Sequence, residues 1–182
     1  MKITIGGASG TGTSTIARKL AEKYNYKFYS GGSIQRMNAA KRNITIEDYD
    51  VFLKSHLEID QEVEKTQIEI GKNEDDFVME SRMAWFCVPD SIKIKLDCEQ
   101  NKRIQRIVDS INKGERISQD PMTFEEAVQK TLEREESYTK RWDELYNVGW
   151  NDNKNFDFIV DTSEIGIDEV LKNCVEFVES KK

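Results

Sequence analysis

A short strand that runs into a glycine- and hydroxyl-rich turn and out into a helix leaves a chain few folds to choose from. Here the unit is Met1-Lys2-Ile3-Thr4-Ile5, then the turn Gly6–Thr15 (GGASGTGTST), then Ile16-Ala17-Arg18-Lys19-Leu20-Ala21 with apolar residues at helical spacing. Glycines let such a turn curl until several N–H groups point inward, and the helix N-terminus adds the positive end of its dipole. The spacing follows the phosphate-loop pattern G-x-x-x-x-G-K-[ST] at Gly7, Gly12 and Ser14, with Thr13 in the lysine position. The amides of Gly7, Ala8, Ser9, Gly10, Thr11, Gly12, Thr13, Ser14 and Thr15 can cradle a triphosphate without that lysine, and the Ser14 hydroxyl can meet a magnesium ion. The competing reading is a tight turn whose glycines serve packing and positive φ. A strand and a helix on the correct sides favour the phosphate loop.

With 182 residues and two prolines the chain reads as one domain with a real core. A charged fraction of 34% and a net charge of −7 predict a soluble protein rich in exposed helix and argue against a general nucleic-acid binder, while leaving room for a local basic cleft. Cys87, Cys98 and Cys174 lack metal-like spacing and are odd in number, which suits a reducing cytoplasm. The sequence carries no apolar run near membrane-spanning length and no signal-peptide pattern before the first strand.

Further along, Tyr26–Tyr29 predicts a second strand ending in Ser30-Gly31-Gly32-Ser33, with a helix over Ile34–Ala40 capped by Ser33 or the glycines. Arg36 in that helix is either a phosphate ligand or a solvated charge. Residues 45–72 predict two helices, the first started by Thr45-Ile46-Glu47-Asp48, with Ile59, Val63, Ile68 and Ile70 as apolar positions. His56 reads as a helix-surface residue. Phe77-Val78-Met79 predicts a buried strand that delivers Glu80 and Arg82 to the end of the sheet where open α/β folds bind ligands. Glu80 could organise magnesium through water and Arg82 could hold a second phosphate; a structural Arg–Glu pair is the alternative. Ile92–Asp97 alternates like a strand with one face partly open at its lysines.

A helix over Glu99–Lys113 carries Arg103 and Arg106, and Gly114-Glu115-Arg116 and Gln119-Asp120-Pro121 punctuate the chain after it. A long helix over Phe124–Tyr146 places Arg134 and Arg141 seven residues apart on one face, as a solvated surface or as a lid over transferring phosphates. Asp157–Ser163 predicts the last strand, Asp168–Ser180 the closing helix, and Trp142, Tyr146 and Trp150 read as packing for the long helix.

Taken in order, the GGxxGTGTST loop, Ser30-Gly31-Gly32 with Ile34 and Arg36, Met79-Glu80-Ser81-Arg82, Arg134-Glu135-Glu136-Ser137 with Arg141, and Asp157 followed by Ile159-Val160-Asp161-Thr162-Ser163 resemble the archaeal-type cytidylate kinases over almost the whole chain. In that family the loop can carry threonine where most phosphate loops carry lysine. The family pattern E-G-R meets Ser81 in place of glycine, and S-A-G-[DE]-I-F-R differs at Gly31, Ser33 and Gln35.

The resemblance implies an α/β fold of the P-loop nucleoside monophosphate kinase type, with a five-stranded parallel sheet and helices on both faces. It implies an acceptor-binding helical insert at about residues 31–72 and a small lid within about 99–141. It implies transfer of the γ-phosphoryl group of ATP to CMP, and to dCMP, with Mg2+. The loop Gly7–Thr15 would hold ATP, and Ser14 and Glu80 the metal. Ser30, Arg36 and Arg82 would hold the acceptor, and Arg103, Arg134 and Arg141 would be catalytic. A cytoplasmic monomer without nucleic-acid or membrane partners is expected. Another small P-loop kinase, acting on UMP, AMP or a non-nucleotide, and a non-catalytic ATP-binding protein are the alternatives.

Overall fold

The computed structural model describes residues 1–53, 56, 61–114 and 122–182, apart from the side chains of residues 46, 47 and 50. Strands β1 (Lys2–Gly7), β2 (Lys27–Ser30), β3 (Phe77–Glu80), β4 (Ile92–Asp97) and β5 (Phe158–Asp161) form one sheet in the order β2-β3-β1-β4-β5. All four pairings are parallel, so every connection must cross over through other structure. The described crossovers are α1 (Thr13–Tyr24), α2 (Gly31–Lys41), α3 (Ile46–Leu53), α4 (Glu62–Asn73), the one-turn α5 (Ala84–Cys87), α6 (Gln100–Asn112) and α7 (Phe124–Tyr146); α8 (Ile167–Glu179) closes the chain.

The central strands are buried on both faces, and their side-chain alternation feeds two different layers. Ile3 and Ile5 of β1, Val78 of β3 and Ile94 and Leu96 of β4 pack on Ile16, Ala17 and Leu20 of α1 and Val170, Cys174 and Val178 of α8. Burial pushes the Cys174 thiol pKa up to about 12, so this cysteine acts as a small apolar group. On the other face Phe77 and Met79 of β3 meet Met83, Ala84, Cys87, Tyr138, Trp142 and Trp150. Each such apolar side chain, fully buried, stabilises the fold by about 1.5–3 kcal/mol.

The local rules of the sequence set most element ends. Asn25, in the left-handed conformation at φ 55°, ends α1. Thr45 Oγ1 accepts from the Asp48 N–H at the start of α3. Thr123 and Glu126 form a reciprocal capping box ahead of α7. Two expectations fail. Helix α2 starts at Gly31, so Ser33 lies inside it and Ser30 is the residue before it. Lys95 of β4 is 3% exposed, because its ammonium donates to the Asn151 carbonyl and Asn153 Oδ1 and sits 3.4 Å from Asp97. A lysine in a strand is no sign of an open face when a loop supplies acceptors. His56 follows α3, its ring stacked on Phe52 at 4.0 Å. The expectations at Ile59 and over Glu115–Pro121 lie outside the described residues.

Candidate active site

The loop between β1 and α1 sits at the carboxyl end of the central strand, where β4 on one side and β3 on the other bring their own ends. It braces itself: Thr11 donates to the Ala8 carbonyl through both its N–H (3.3 Å) and its hydroxyl (2.9 Å). From behind, Thr162 after β5 donates to the Thr11 carbonyl, and Arg106 of α6 donates to the Thr162 carbonyl and hydroxyl. Gly10 has φ 87° and lies so close to the Arg103 carbonyl that a Cβ would overlap it. Gly12 has φ 95°, with open space where a Cβ would point. That space is the mouth of the loop. Gly12→Val is expected to abolish ATP binding by filling the mouth and straining the turn, while the sheet still folds. Calorimetric titration with ATP checks this, and unchanged affinity would remove the phosphate-loop reading.

Thr13, in the lysine position, donates to Glu80 Oε1 at 3.3 Å, and Ser30 donates to Glu80 Oε2 at 3.0 Å. One carboxylate at the end of β3 therefore joins the loop to the start of α2. Ser14 is exposed on the first turn of α1. Arg36 is exposed on α2 and folds back toward the first turn, donating to Ser33 Oγ at 3.2 Å.

Arg82 reaches the loop and α7. Its Nη2 donates to Ser9 Oγ at 2.6 Å, and its guanidinium lies 4.8 Å from the Tyr138 ring centroid and 5.8 Å from that of Trp150. Enclosure by these rings pulls its pKa below the usual value, and the Arg134 charge adds to this against the opposing pull of Tyr138 and Glu135. Arg134 lies 5.4 Å from the same Tyr138 ring and donates through Nε to its hydroxyl, and Arg141 lies 4.9 Å from it. Three guanidiniums thus meet one aromatic ring, whose negative faces hold them against their mutual repulsion. Arg141 is 6% exposed, so this part of α7 is no solvated face.

Arg103 donates from Nη1 to the Ser9 carbonyl at 3.3 Å and makes a two-pronged pair with Glu135, both bonds 2.8 Å. A cavity of about 70 Å³ opens beside Ser9, lined in part by Arg82, Lys130, Arg134 and Glu135. A larger, open cleft of about 350 Å³ between α2 and α4 is lined by none of the predicted site residues.

The structure so gathers Ser9, Arg82, Arg103, Arg134 and Arg141 on one side, and Thr13, Ser30 and Glu80 on the other. Arg36 lies nearer the second group: a Cβ at Gly32 would fall 3.6 Å from its Nη1 and 3.7 Å from Ser30 Oγ. Sequence reasoning missed Tyr138 and Glu135. Tyr138 was findable: it lies four residues after Arg134 and three before Arg141, on the face their spacing defines. Glu135 was not, since its partner is 32 positions away.

A phosphate loop at the switch point of a five-stranded parallel sheet, faced by clustered arginines, makes this a P-loop protein of the three-layer α/β class. Among solved structures it superimposes on an uncharacterized protein from Eubacterium ventriosum (TM-score 0.69, 17% identity, 99% of each chain) and on shikimate kinase from Acinetobacter baumannii in complex with shikimate (TM-score 0.61, 17% identity, 100% of this chain and 94% of that one). The chain belongs to the cytidylate kinase-like family, which it matches over residues 2–164. It is 34% identical over 183 residues to the cytidylate kinase of Methanocaldococcus jannaschii, spanning 100% of this chain and 99% of that protein. To the cytidylate kinase of Pyrococcus furiosus it is 38% identical over 181 residues, spanning 97% and 89%.

Proposed function

We propose that this protein transfers the γ-phosphoryl group of ATP to CMP, and to dCMP, giving ADP and the corresponding diphosphate. The observation that carries phosphoryl transfer is the cluster of Arg82, Arg134 and Arg141 on Tyr138, beside a phosphate loop that lacks its lysine. The full-length similarity to cytidylate kinases supplies the acceptor.

Phosphoryl transfer asks for positioning and charge neutralisation more than covalent chemistry. The amides of Gly7–Thr15 hold the ATP phosphates. Arg134 and Arg141 place charge where the γ-phosphoryl departs, offsetting what Thr13 lacks, while Arg103, held by Glu135 against Ser9, is fixed positive charge at the loop. Ser30, Arg36 and Arg82 hold the acceptor phosphate, whose oxygen is already ionised near neutral pH and needs no general base. Residues of about 31–72 form the acceptor-side insert, and about 99–141 carry the lid region.

Ser14 and Glu80 suit magnesium: both offer hard oxygen, and among the described residues no cluster of acids, cysteines or histidine forms an all-protein cage. Such a site matches an ion held by one or two side chains, water and substrate phosphates. The ion would neutralise charge on the transferring phosphates.

The protein is taken to act in pyrimidine nucleotide metabolism as a cytoplasmic monomer, without nucleic-acid or membrane partners. Its charge of −7 supports this, and no described helix is long and apolar enough to cross a membrane.

Steady-state kinetics with ATP and CMP, dCMP, UMP or AMP test the assignment. CMP is expected to be the best acceptor, and cytidine without its phosphate is expected not to react. Arg36→Ala should raise the Michaelis constant for CMP about 10- to 100-fold, as loss of one charge-assisted hydrogen bond implies. AMP as the best acceptor would overturn the cytidylate reading.

A further inference from the structure

The loop Gly6–Thr15 contains no lysine or arginine. Thr13 stands where the lysine would be and gives its hydroxyl to Glu80 Oε1, so no charge from position 13 meets the β- and γ-phosphates that a loop lysine reaches. Lys130 of α7 lines the cavity beside Ser9, together with Arg82 and Arg134. It is exposed, and among the described residues no hydrogen bond or ion pair engages it. The carboxylate that shares its cavity, Glu135, is already held by both Nη groups of Arg103. At 100° per residue, positions 130, 134 and 141 fall within about 40° of one another around the helix axis. Lys130 therefore extends the row of Arg134 and Arg141 by one turn toward the helix N-terminus. Ile107, Ile111 and Ala127 give the same cavity an apolar wall. Such a wall suits the methylene stem of a lysine and strengthens the attraction of its ammonium for a charged partner.

Resting on the kinase reading above, we propose that Lys130 supplies from α7 the cation that the loop lacks, its ammonium binding the γ-phosphate of ATP. Phosphoryl transfer needs the negative charge on the donor phosphates neutralised, and an ammonium does this as a point charge with three donors, whichever element carries it. Arg134 and Arg141 rest against the Tyr138 ring. Lys130, two turns from that ring, has nothing to hold it until a phosphate arrives. The γ-phosphate is also the group that separates ATP from ADP. A cation that meets it favours the donor over the spent product, so Lys130 sets which nucleotide occupies the loop.

The test compares wild type, Lys130→Met and Lys130→Arg by calorimetric titration with ATP and with ADP, magnesium present and acceptor absent, and by thermal melts without ligand. Methionine keeps most of the stem and removes the charge. Lys130→Met is expected to weaken ATP binding about 10- to 100-fold, as loss of one charge-assisted hydrogen bond implies, and to leave ADP binding little changed. Lys130→Arg should keep most of the affinity for ATP. The three melting temperatures should agree closely, because an exposed side chain without partners contributes little to stability. Wild-type ATP affinity in Lys130→Met overturns the proposal, and so does an equal loss for ATP and ADP or an arginine variant as weak as the methionine one. A melting temperature several degrees lower in Lys130→Met would mark Lys130 as part of the scaffold and overturn it too. A wild-type protein that binds neither nucleotide overturns the phosphate-loop reading itself, before any variant is compared.

Discussion

Arg134→Ala is expected to lower turnover with ATP and CMP on the order of a thousandfold, the effect of removing an arginine that acts on a transferring phosphoryl group. Arg134 is held through Nε by the Tyr138 hydroxyl at 2.9 Å and borders the cavity beside Ser9. Charge placed there gains value only as negative charge builds on the group in flight, so the loss should fall on turnover, with the Michaelis constant for CMP little moved. Tyr138 and its seat on Trp142 remain in the variant, which keeps the packing of α7 intact. Wild-type turnover in Arg134→Ala would mean that this stretch of helix serves the scaffold alone.

The second large effect is on stability. Glu135→Ala leaves Arg103, 7% exposed, without the carboxylate that meets both of its Nη groups. Breaking such a buried pair from one side costs about 3–5 kcal/mol, since the remaining charge stays out of water. For a chain of this size that corresponds to a fall of roughly 10 °C in melting temperature. The double variant Arg103→Met/Glu135→Leu, with no charge left to strand, should recover most of the loss. Differential scanning calorimetry on the three proteins decides the matter. Equal melting temperatures for wild type and Glu135→Ala would show the pair to be as weak as one on the surface.

What the sequence disclosed and what it hid differ in range. The phosphate loop, the strand ends and the 23-residue helix from Phe124 to Tyr146 announce themselves within windows of ten or twenty residues, because hydrophobic period and turn chemistry are local. So the parallel sheet and most element ends were legible. Lys95 was misread because its acceptors, Asn151 and Asn153, lie more than fifty positions on. Gln67 gave no signal at all: a glutamine in a helix is ordinary until the fold buries it. Arg82 was expected beside Glu80 or on a phosphate, and it rests on Ser9 and Tyr138 because α7 brings an aromatic ring over the strand end. Pairings across the fold decide a site, and single residues read in order do not reveal them.

Trp150 fixes how that ring is mounted. Its Nε1 donates to Thr139 Oγ1, its ring meets Trp142 edge-on at 5.9 Å, and its carbonyl accepts from Trp85 Nε1. Helix α7 is about 34 Å long at 1.5 Å per residue, and this fastening grips its second half only. The first half leans on α6 through Ala127 against Ile104 and Val108. The two halves are therefore held by different partners: Arg141 lies on the stretch set by the Trp150 contacts, and Arg134 on the stretch tied to α6, where its neighbour Glu135 pairs with Arg103.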